Sequence, residues 1–403
     1  MTPSIRIAIV ADDLTGASDT AVQFGRHGWS ACVALTDDSD ITGEVVARST
    51  ASRALADHAA FEATARAVAG IDAERVYLKI DSTARGSIAG QIGGALEGWR
   101  TRHPDAIAVV CPAYPEMGRT VEQGGILVDG VPVDRTAIGV DPVTPVHEPS
   151  LVARIPRARV VDIADVASAE PGAVIVLDAR SRAEIDALVL ELINAGPKVV
   201  VAGSAGLAES FARLLPGERG EHRPARPGGP ALIVVSSLNP VSHAQADLLI
   251  SSLSAQSIVI EPSAAEAHAQ SLVREPSPVT VLRTSLTRVG ERDSGVADRV
   301  ADLLAARAVD EIVARRPALV GLVGGDGARA VLRRLGAEGL VVRDAAVEGA
   351  PLMAIVGGPH DGLAVWTKAG GFGVDDTLIR ILERTGAASA PDAHSPSLKE
   401  ETP

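Results

Sequence analysis

Short apolar segments alternate along the chain with longer segments in which apolar residues recur every three or four positions. The first kind is typical of buried strands and the second of helices that cover a sheet. In the first half, the predicted strands include IRIAIV (5–10), RVYLKI (75–80), AIAVVC (106–111), GAVIVLDA (172–179) and KVVVAG (198–203). Helices are predicted at 54–69, 88–100 and 181–195. This alternation predicts a parallel sheet built from β-α-β units.

The stretch LLPGERGEHRPARPGGP (214–230) interrupts the pattern, because it is rich in proline, glycine and charge and has no apolar periodicity. The alternation then resumes, with strands at 231–237, 257–262, 278–284 and 350–358 and helices from about 242 and at 294–314. We therefore predict an α/β fold class with two α/β domains, mainly parallel sheets and a ligand cleft between them. The predicted division is 1–222, 223–388 and a disordered tail at 389–403.

The composition mainly excludes classes of binding partner. Hydrophobic residues make up 46% of the 403 residues but aromatic residues only 2%, so base-stacking surfaces are not expected. The formal net charge of -13 repels nucleic acid and anionic membranes, so neither is an expected partner. Cys32 and Cys111 form no disulfide framework and the first residues lack a leader pattern, which favours a cytoplasmic protein. The expected ligand is a small metabolite.

Polar residues follow the predicted strands at their carboxyl ends, where open parallel sheets bind their ligands. Asp12 and Asp13 come directly after the first strand, and Thr15 is placed to cap the next helix. The two carboxylates would then be free to meet a substrate hydroxyl or a metal ion. The alternative is a capped turn with solvated acids.

A second polar group is the sequence KIDSTARGS (79–87), in which a strand ends and a helix begins. Its cations and hydroxyls suit a carboxylate or a polyhydroxy acid, because the amino end of a helix favours negative charge. Lysine is scarce in this chain, which makes Lys79 a better candidate than most; a surface salt bridge is the alternative. Arg53 also follows a predicted strand and could pair with the same carboxylate.

Two further segments each allow two interpretations. The segment CPAYPEMGRTVEQGGILVDGVPV (111–133) is either a lid or a hairpin that turns at Asp129-Gly130. The residues from Gly203 to Gly206 either cradle an anion with their amides or are small for the sake of close helix packing.

In the second domain, glycines and hydroxyl side chains recur in VVSSLNPVSHAQ (234–245), LVGGDGARAVL (322–332) and TKAGGFGVDDTL (367–378). Together these segments could form a nucleotide pocket, because glycine lets the backbone approach a ligand closely. Each one alone could be an ordinary helix cap. Neither the Walker motif nor the G-x-G-x-x-G dinucleotide fingerprint occurs in the chain.

The order and spacing of these motifs resemble the four-carbon acid sugar kinase family. The resemblance extends from about residue 5 to about residue 385, and D-D-L-T-G-A and K-x-D-S-T-x-R-G are its most specific motifs. It implies that the first half binds a four-carbon sugar acid, such as threonate, erythronate or a 3-oxo-tetronate, and that the second half binds ATP. The implied reaction is transfer of the γ-phosphoryl group to the terminal hydroxyl, giving a 4-phosphate.

The resemblance also assigns residues to each half. On the substrate side are Asp12, Arg53, Asp81, Ser82, Thr83 and Arg85, to which the loop itself adds Lys79. On the ATP side are Ser237, Gly324, Gly325, Asp326, Gly327 and Gly371, together with the adjacent Gly370. Asp12 or Asp13 is the expected base, while Mg²⁺ and backbone amides would neutralise phosphate charge. No metal ligands are assigned.

Departures from the family pattern support an alternative function. This chain has Ser236-Ser237-Leu238-Asn239 where the family usually has G-S-x-S, and Gly327 where a threonine is usual. A catalytically weakened member that senses a sugar acid or a nucleotide is therefore the alternative to a kinase. An NAD-dependent dehydrogenase is suggested only by the α/β pattern, and the missing fingerprint counts against it. A homodimer is a general expectation for such an enzyme.

Overall fold

The computed structural model describes residues 5–36, 39, 41–141, 143–221, 224–260, 277–285 and 294–387. The chain forms two compact units: unit 1 is Met1–Arg223 with Glu338–Asp344, and unit 2 is Pro224–Ala337 with Ala345–Pro403. The tail predicted at 389–403 lies outside the described residues.

The strands of the described residues are β1 (Ile5–Ala11), β2 (Ala31–Ala34), β3 (Val45–Ser49), β4 (Ala73–Lys79), β5 (Ile107–Cys111), β6 (Arg119–Glu122), β7 (Gly125–Val128), β8 (Val131–Pro132), β9 (Ala158–Val160), β10 (Val174–Val176), β11 (Val199–Gly203), β12 (Ala231–Val235), β13 (Gln256–Ile260), β14 (Val279–Thr284), β15 (Leu319–Val323), β16 (Gly339–Val347), β17 (Ala350–Val356) and β18 (Ala364–Lys368). The α-helices are α1 (Leu14–Gly25), α2 (Asp57–Ala69), α3 (Ile88–Arg100), α4 (Leu151–Arg154), α5 (Arg182–Ala195), α6 (Ala205–Leu214), α7 (Pro240–Leu253), α8 (Ser294–Arg315), α9 (Gly325–Arg334) and α10 (Thr377–Thr385).

Unit 1 is built on a parallel sheet with the strand order β2-β3-β1-β4-β11-β5-β10-β9. The five strands predicted in this half and the three predicted helices are all present. Strands β5 and β11 are apolar and buried throughout, as in a sheet that helices cover on both faces. The α/β fold class is confirmed.

Helices α2 and α3 pack against each other through glycine. A Cβ atom at Gly90, Gly94 or Gly98 would lie 2.1, 2.3 or 2.6 Å from a backbone carbonyl oxygen of α2. These glycines recur every four residues and so form one face of α3, which lets the two backbones approach closely. Because α2 follows the loop of Arg53 and α3 follows the loop of Arg85, this contact helps to place both loops.

The segment 111–133 contains a hairpin, as one of the two interpretations of its sequence predicted. Strands β6, β7 and β8 form a small antiparallel sheet. Asp129 and Gly130 connect β7 to β8 with positive φ angles of 53° and 78°, as a tight hairpin turn requires.

Unit 2 contains a second parallel sheet with the order β13-β14-β12-β15-β18, and β17 joins β18 in the antiparallel direction. The predicted strands and helices of this half are present, although α7 begins at Pro240, two residues before the expected start. Trp366 is fully buried in the core, and a Cβ at Gly321 would lie 2.1 Å from its ring.

The two units are not contiguous in sequence, which the sequence analysis did not anticipate. Residues Glu338–Asp344 belong to unit 1, where Gly339, Leu340 and Val341 pair antiparallel with β2. Strand β2 would otherwise be an edge strand with unpaired backbone groups. Apolar periodicity identifies a strand but not the sheet that it joins, so the pattern alone does not reveal this return.

Among the described residues, no helix combines the length and the apolar character needed to cross a membrane.

The substitution Gly94→Ala is expected to lower the free energy of unfolding by about 1–3 kcal/mol, because the new methyl group would overlap the Phe61 carbonyl. The matched control is Gly93→Ala in the same helix, where the nearest atoms belong to the Phe61 ring at 3.3 Å and can yield. There the helix propensity of alanine should add up to about 1 kcal/mol. Urea unfolding followed by circular dichroism measures both, and equal stabilities would contradict the close helix contact.

Candidate functional site

Three strands of unit 1 end side by side at the edge where the polar loops begin. Strand β1 lies between β3 and β4, so Ala11 is opposite Ser49 on one side and Lys79 on the other. The three strands are parallel, and the loops that carry Asp12, Arg53 and Asp81 therefore leave the sheet at one edge.

Arg53 forms a two-pronged ion pair with Asp12, whose side chain is only 1% exposed. Nε donates to Oδ2 at 2.7 Å and Nη2 donates to Oδ1 at 2.8 Å. The backbone N–H of Arg53 also donates to the Asp12 carbonyl at 3.3 Å. Parallel hydrogen bonds of this kind are among the strongest in proteins. The charge of Arg53 is thus already engaged by the protein.

Asp13 is the N-cap residue of α1. Its Oδ1 accepts from the Gly16 amide at 2.6 Å, and its Oδ2 accepts from the Thr15 hydroxyl at 2.8 Å and from Arg53 Nη1 at 2.6 Å. The expectation that Thr15 caps this helix was wrong. Asp13 has extended backbone immediately before the helix, where its carboxylate reaches the first-turn amides, and Thr15 donates to that carboxylate.

Asp81 organises the second loop. Its Oδ1 accepts from the Thr83 amide at 3.0 Å and from the Thr83 hydroxyl, while its Oδ2 accepts from Arg85 Nη2 at 2.7 Å. Arg85 Nη1 also donates to Asp141 Oδ2 at 3.4 Å. Arg85, like Arg53, is held between carboxylates of the protein.

Asp141 was not identified from the sequence. It lies 56 residues after Arg85 in a loop without a recognisable motif, and its Oδ1 accepts from the amides of Val143 and Thr144 at 2.9 and 2.8 Å. No sequence signal connects these two residues.

Lys79 and Ser82 differ from the other candidates because they are not engaged. Lys79 is 6% exposed, yet among the described residues its ammonium group has no hydrogen bond and no carboxylate within 4.0 Å. The nitrogen is not sealed from solvent either. A Cβ at Gly16 would lie 3.2 Å from it, so it sits beside the first turn of α1. The half-buried Ser82 hydroxyl likewise has no hydrogen bond within the described part of the chain.

The environment of this cluster shifts the pKa values of Asp12 and Asp13 in opposite directions. Burial raises the pKa of Asp12 above its usual range, although the charge of Arg53 opposes this and that of Asp13 adds to it. Burial also disfavours ionised Asp13, but the charges of Arg53 and Lys79 and the bonds from Thr15 and Gly16 prevail and lower its pKa. Asp12 is therefore the more basic of the pair.

The same electrostatics keep Asp81 and Arg53 ionised. Burial disfavours the charged form of Asp81, but Arg85 and Arg53 overcome this and hold its pKa well below the usual range. The pKa of Arg53 lies well above its ordinary value, because Asp12 and Asp13 outweigh the cost of burial.

In unit 2, the three glycine-containing segments meet. A Cβ at Gly324 would lie 2.6 Å from Ser236 Oγ, and one at Gly370 would lie 2.0 Å from Ser237 Oγ. A Cβ at Gly371 would lie 2.9 Å from Asn239 Nδ2. The structure thus brings together Ser237, Gly324, Gly325, Asp326, Gly327, Gly370 and Gly371, which the sequence analysis proposed for one pocket.

Helix α9 begins within this cluster without a side-chain cap. Its N-cap residue is Gly324, with a positive φ of 105°, and no side chain in the described part of the chain accepts from the first-turn amides. Asp326 is exposed in that first turn and has no hydrogen bond or ion pair among the described residues. Free amides and the helix dipole make such an end suitable for phosphate oxygens.

Lys368 lies in this cluster but was not among the residues expected there from the sequence. It is fully buried at the end of β18, and its Nζ donates to the carbonyls of Ala369 at 3.0 Å and Phe372 at 2.7 Å. The signal was available, because lysine is rare in this chain and this one follows a predicted strand.

The segment from Gly203 to Gly206 is explained by packing. The Ser204 hydroxyl accepts from the Gly206 amide at 3.2 Å, and thus caps α6, while it donates to the Ala113 carbonyl at 2.8 Å. A Cβ at Gly206 would lie 2.5 Å from the Tyr114 ring. Close contact accounts for both glycines, since a Cβ at Gly203 would meet Leu207 at 2.4 Å.

Within the described residues, no group of three or more His, Cys, Asp or Glu side chains is arranged to hold a metal ion.

Two family models match the chain. One is described as a sugar-binding N-terminal domain and matches residues 7–211; the other is described as a nucleotide-binding C-terminal domain and matches residues 232–378. The first model covers the half that contains Asp12, Arg53 and Asp81. The second covers the half that contains Gly324 and Gly370.

Individual relatives match over nearly the whole chain. A D-threonate kinase of Bordetella bronchiseptica is 37% identical over 94% of this chain and 96% of its own length. A D-erythronate kinase of Heliobacterium modesticaldum is 27% identical over 94% of this chain and 96% of its own. A solved structure of a Haemophilus influenzae protein shares the fold, with a TM-score of 0.69 and 19% identity over 93% of this chain and 99% of that chain. The motifs, the family models and these relatives together show that the chain belongs to the four-carbon acid sugar kinase family.

Proposed function

We propose that this chain transfers the γ-phosphoryl group of ATP to the terminal hydroxyl of a four-carbon sugar acid, giving a 4-phosphate. The observation that carries the proposal is Lys79, a buried cation that lies near three carboxylates at the sheet edge but has no hydrogen bond and no carboxylate within 4.0 Å among the described residues. The three carboxylates balance its charge, but the ammonium group lacks the hydrogen bonds that usually accompany a buried charge, and a ligand carboxylate could accept them. A small anion with hydroxyl groups fits both the charge and the surrounding polar side chains.

Lys79 is the group that we propose for the substrate carboxylate. The two arginines of the site, Arg53 and Arg85, are each held by carboxylates of the protein, so neither has a free charge to offer. The unengaged Ser82 hydroxyl is suited to a substrate hydroxyl. This assignment differs from the expectation that Arg53 or Arg85 binds the carboxylate directly.

Asp12 is the proposed proton acceptor for the attacking hydroxyl. Its pKa is raised, and each of its oxygens, which accept from Arg53, retains a second lone pair. Asp13 would act by fixing the start of α1 and the orientation of Arg53. Phosphoryl transfer depends mainly on positioning and on neutralising charge, both of which this ion-paired cluster supplies.

The glycine cluster of unit 2 is the proposed ATP site. The uncapped amides of α9 would bind phosphate oxygens, and a side chain at Gly324 or Gly370 would fill the cradle. The exposed Asp326 carboxylate would hold Mg²⁺ that is also bound by the phosphates. When bound, Mg²⁺ neutralises the charge of the transferring group.

The departures from the family pattern do not favour a sensor without turnover. A Cβ at Gly327 would lie 2.2 Å from Ser236 Oγ, so a threonine at 327 would collide with the serine that this chain has at 236. The hydroxyl that this chain lacks at position 327 is therefore replaced by the hydroxyl of Ser236, which lies beside it. Asn239 likewise caps α7 by accepting from the Val241 amide at 2.9 Å.

The proposal is tested by measuring ADP release from Mg-ATP with D-threonate, D-erythronate and the 3-oxo acids. D-threonate is the first candidate, because a relative of 37% identity bears that name. Turnover with one of these acids supports a kinase. Sugar-acid binding without ADP release would support the sensor instead, and a change in nicotinamide absorbance would support a dehydrogenase. The cytoplasmic location and the homodimer remain predictions.

The substitution Asp12→Asn is expected to lower kcat by about 100-fold or more, because it removes the proton acceptor. Arg53 keeps its ion pair with Asp13, so the protein should remain folded, as circular dichroism would verify. Asp72→Asn, at an exposed position, is the control and should leave kcat unchanged. A folded Asp12→Asn enzyme with normal turnover would exclude Asp12 as the base.

The substitution Lys79→Met is expected to weaken binding of the sugar acid by about 10- to 100-fold, which is the worth of a hydrogen bond to a charged group. Binding of the corresponding neutral amide should change little, because that ligand has no carboxylate to lose. Calorimetric titration of both ligands measures the difference, with Lys198→Met as the control lysine. Equal losses for acid and amide would contradict a contact between Lys79 and the carboxylate.

A further inference from the structure

The ammonium group of Lys368 is buried without a counter-ion. Lys368 is 0% exposed, and among the described residues no carboxylate lies within 4.0 Å of its Nζ. It donates to the carbonyls of Ala369 at 3.0 Å, Gly370 at 3.4 Å and Phe372 at 2.7 Å. Burying a charge in this way is expensive, since carbonyl dipoles replace only part of its hydration.

Two further side chains hold the same loop from the same buried side. Ser242 Oγ donates to the Gly370 carbonyl at 2.6 Å, and Gln245 Nε2 donates to the carbonyls of Phe372 and Val374 at 3.0 and 2.9 Å. Both side chains are 0% exposed. The carbonyl oxygens of Ala369, Gly370 and Phe372 therefore lie around Lys368, and Ser242 and Gln245 bind two of these three as well.

The backbone amides of Gly370 and Gly371 are available to a ligand. In the part of the chain that the structure describes, the N–H groups of Gly370 and Gly371 donate no hydrogen bond, although the carbonyls of Ala369, Gly370 and Phe372 each accept at least one. The Gly324 amide donates to the Lys368 carbonyl at 2.9 Å, which joins the start of this loop to the N-cap of α9. Successive free amides beside an uncapped helix end form a site for an anion.

We infer that Lys368 is a positioning residue of the nucleotide site: it holds the carbonyls of the 369–374 loop inward, so that the amides of Gly370 and Gly371 face the phosphates. This inference rests on the proposed ATP site. Lys368 does not touch the nucleotide, because it is fully buried, but the phosphate charge compensates its own through the loop.

The burial of Lys368 affects its protonation. Burial lowers the pKa of Lys368 to about 8, and no charged or titratable side chain of the described residues contributes to that shift. The polar groups that face it are the loop carbonyls, with Ser242 and Gln245 beside them. Phosphate favours the ammonium form, so nucleotide binding should raise this pKa. Binding then takes up a proton near pH 8, and affinity falls as the pH rises further.

The experiment is calorimetric titration of the full chain with ADP and Mg²⁺ at pH 8, in two buffers of different ionisation enthalpy. The wild type should show proton uptake on binding. Lys368→Met should weaken ADP binding by about tenfold or more and abolish the uptake, with the affinity for the sugar acid unchanged. Lys198→Met is the control and should behave as the wild type.

Lys368→Arg keeps the test decisive if the methionine variant does not fold. Arginine can still donate to the carbonyls but does not titrate near pH 8, so ADP should bind without proton uptake. Undiminished uptake in that variant, or wild-type ADP affinity in folded Lys368→Met, would overturn the inference. Failure of the wild type to bind ADP or to release it from ATP would instead overturn the proposed function.

Discussion

A charge that leaves water must be compensated, and the polar edge of unit 1 is arranged around that requirement. Asp12 is almost completely buried, and it is tolerated because Arg53 meets both of its oxygens. Arg53 in turn is held by Asp13, which also begins α1. The two ion pairs of Arg53 therefore connect the ends of two strands to the start of a helix, and they position the rest of the site.

The two buried lysines show two different solutions to the same problem. Lys368 is surrounded by carbonyl oxygens of its own loop and shapes that loop. Lys79 has no such partners among the described residues and keeps its ammonium group open to solvent. A buried cation that is hydrogen-bonded to backbone carbonyls stabilises the conformation of a loop. A buried cation without hydrogen bonds can bind an anionic ligand. The rarity of lysine makes both positions visible in the sequence, but only coordinates distinguish their roles.

The strands and helices that the sequence predicted are present because buried parallel strands and amphipathic helices have distinct apolar patterns. The placement of Asp12, Arg53 and Asp81 at one edge followed as well, since parallel strands end together. Details that depend on one side chain did not follow. Either Asp13 or Thr15 has the chemistry of a cap, and the choice depends on where the first helical turn begins. Asp141 carried no signal, because its partner Arg85 is distant in sequence. The missing hydroxyl at Gly327 and the additional one at Ser236 are unrelated in the sequence, and only their proximity in the structure shows them to be one rearrangement.

The return of Glu338–Asp344 to unit 1 bears on how the chain folds during synthesis. Strand β2 and the parallel sheet that it borders are complete in sequence within the first 223 residues, but the antiparallel partner of β2 is made more than a hundred residues later. Until then the growing chain presents an open sheet edge, which is the kind of surface that recruits strands from other molecules. An isolated first half would retain that edge permanently. Unit 1 thus depends for its protection on a segment encoded within the half that the nucleotide-binding family model matches.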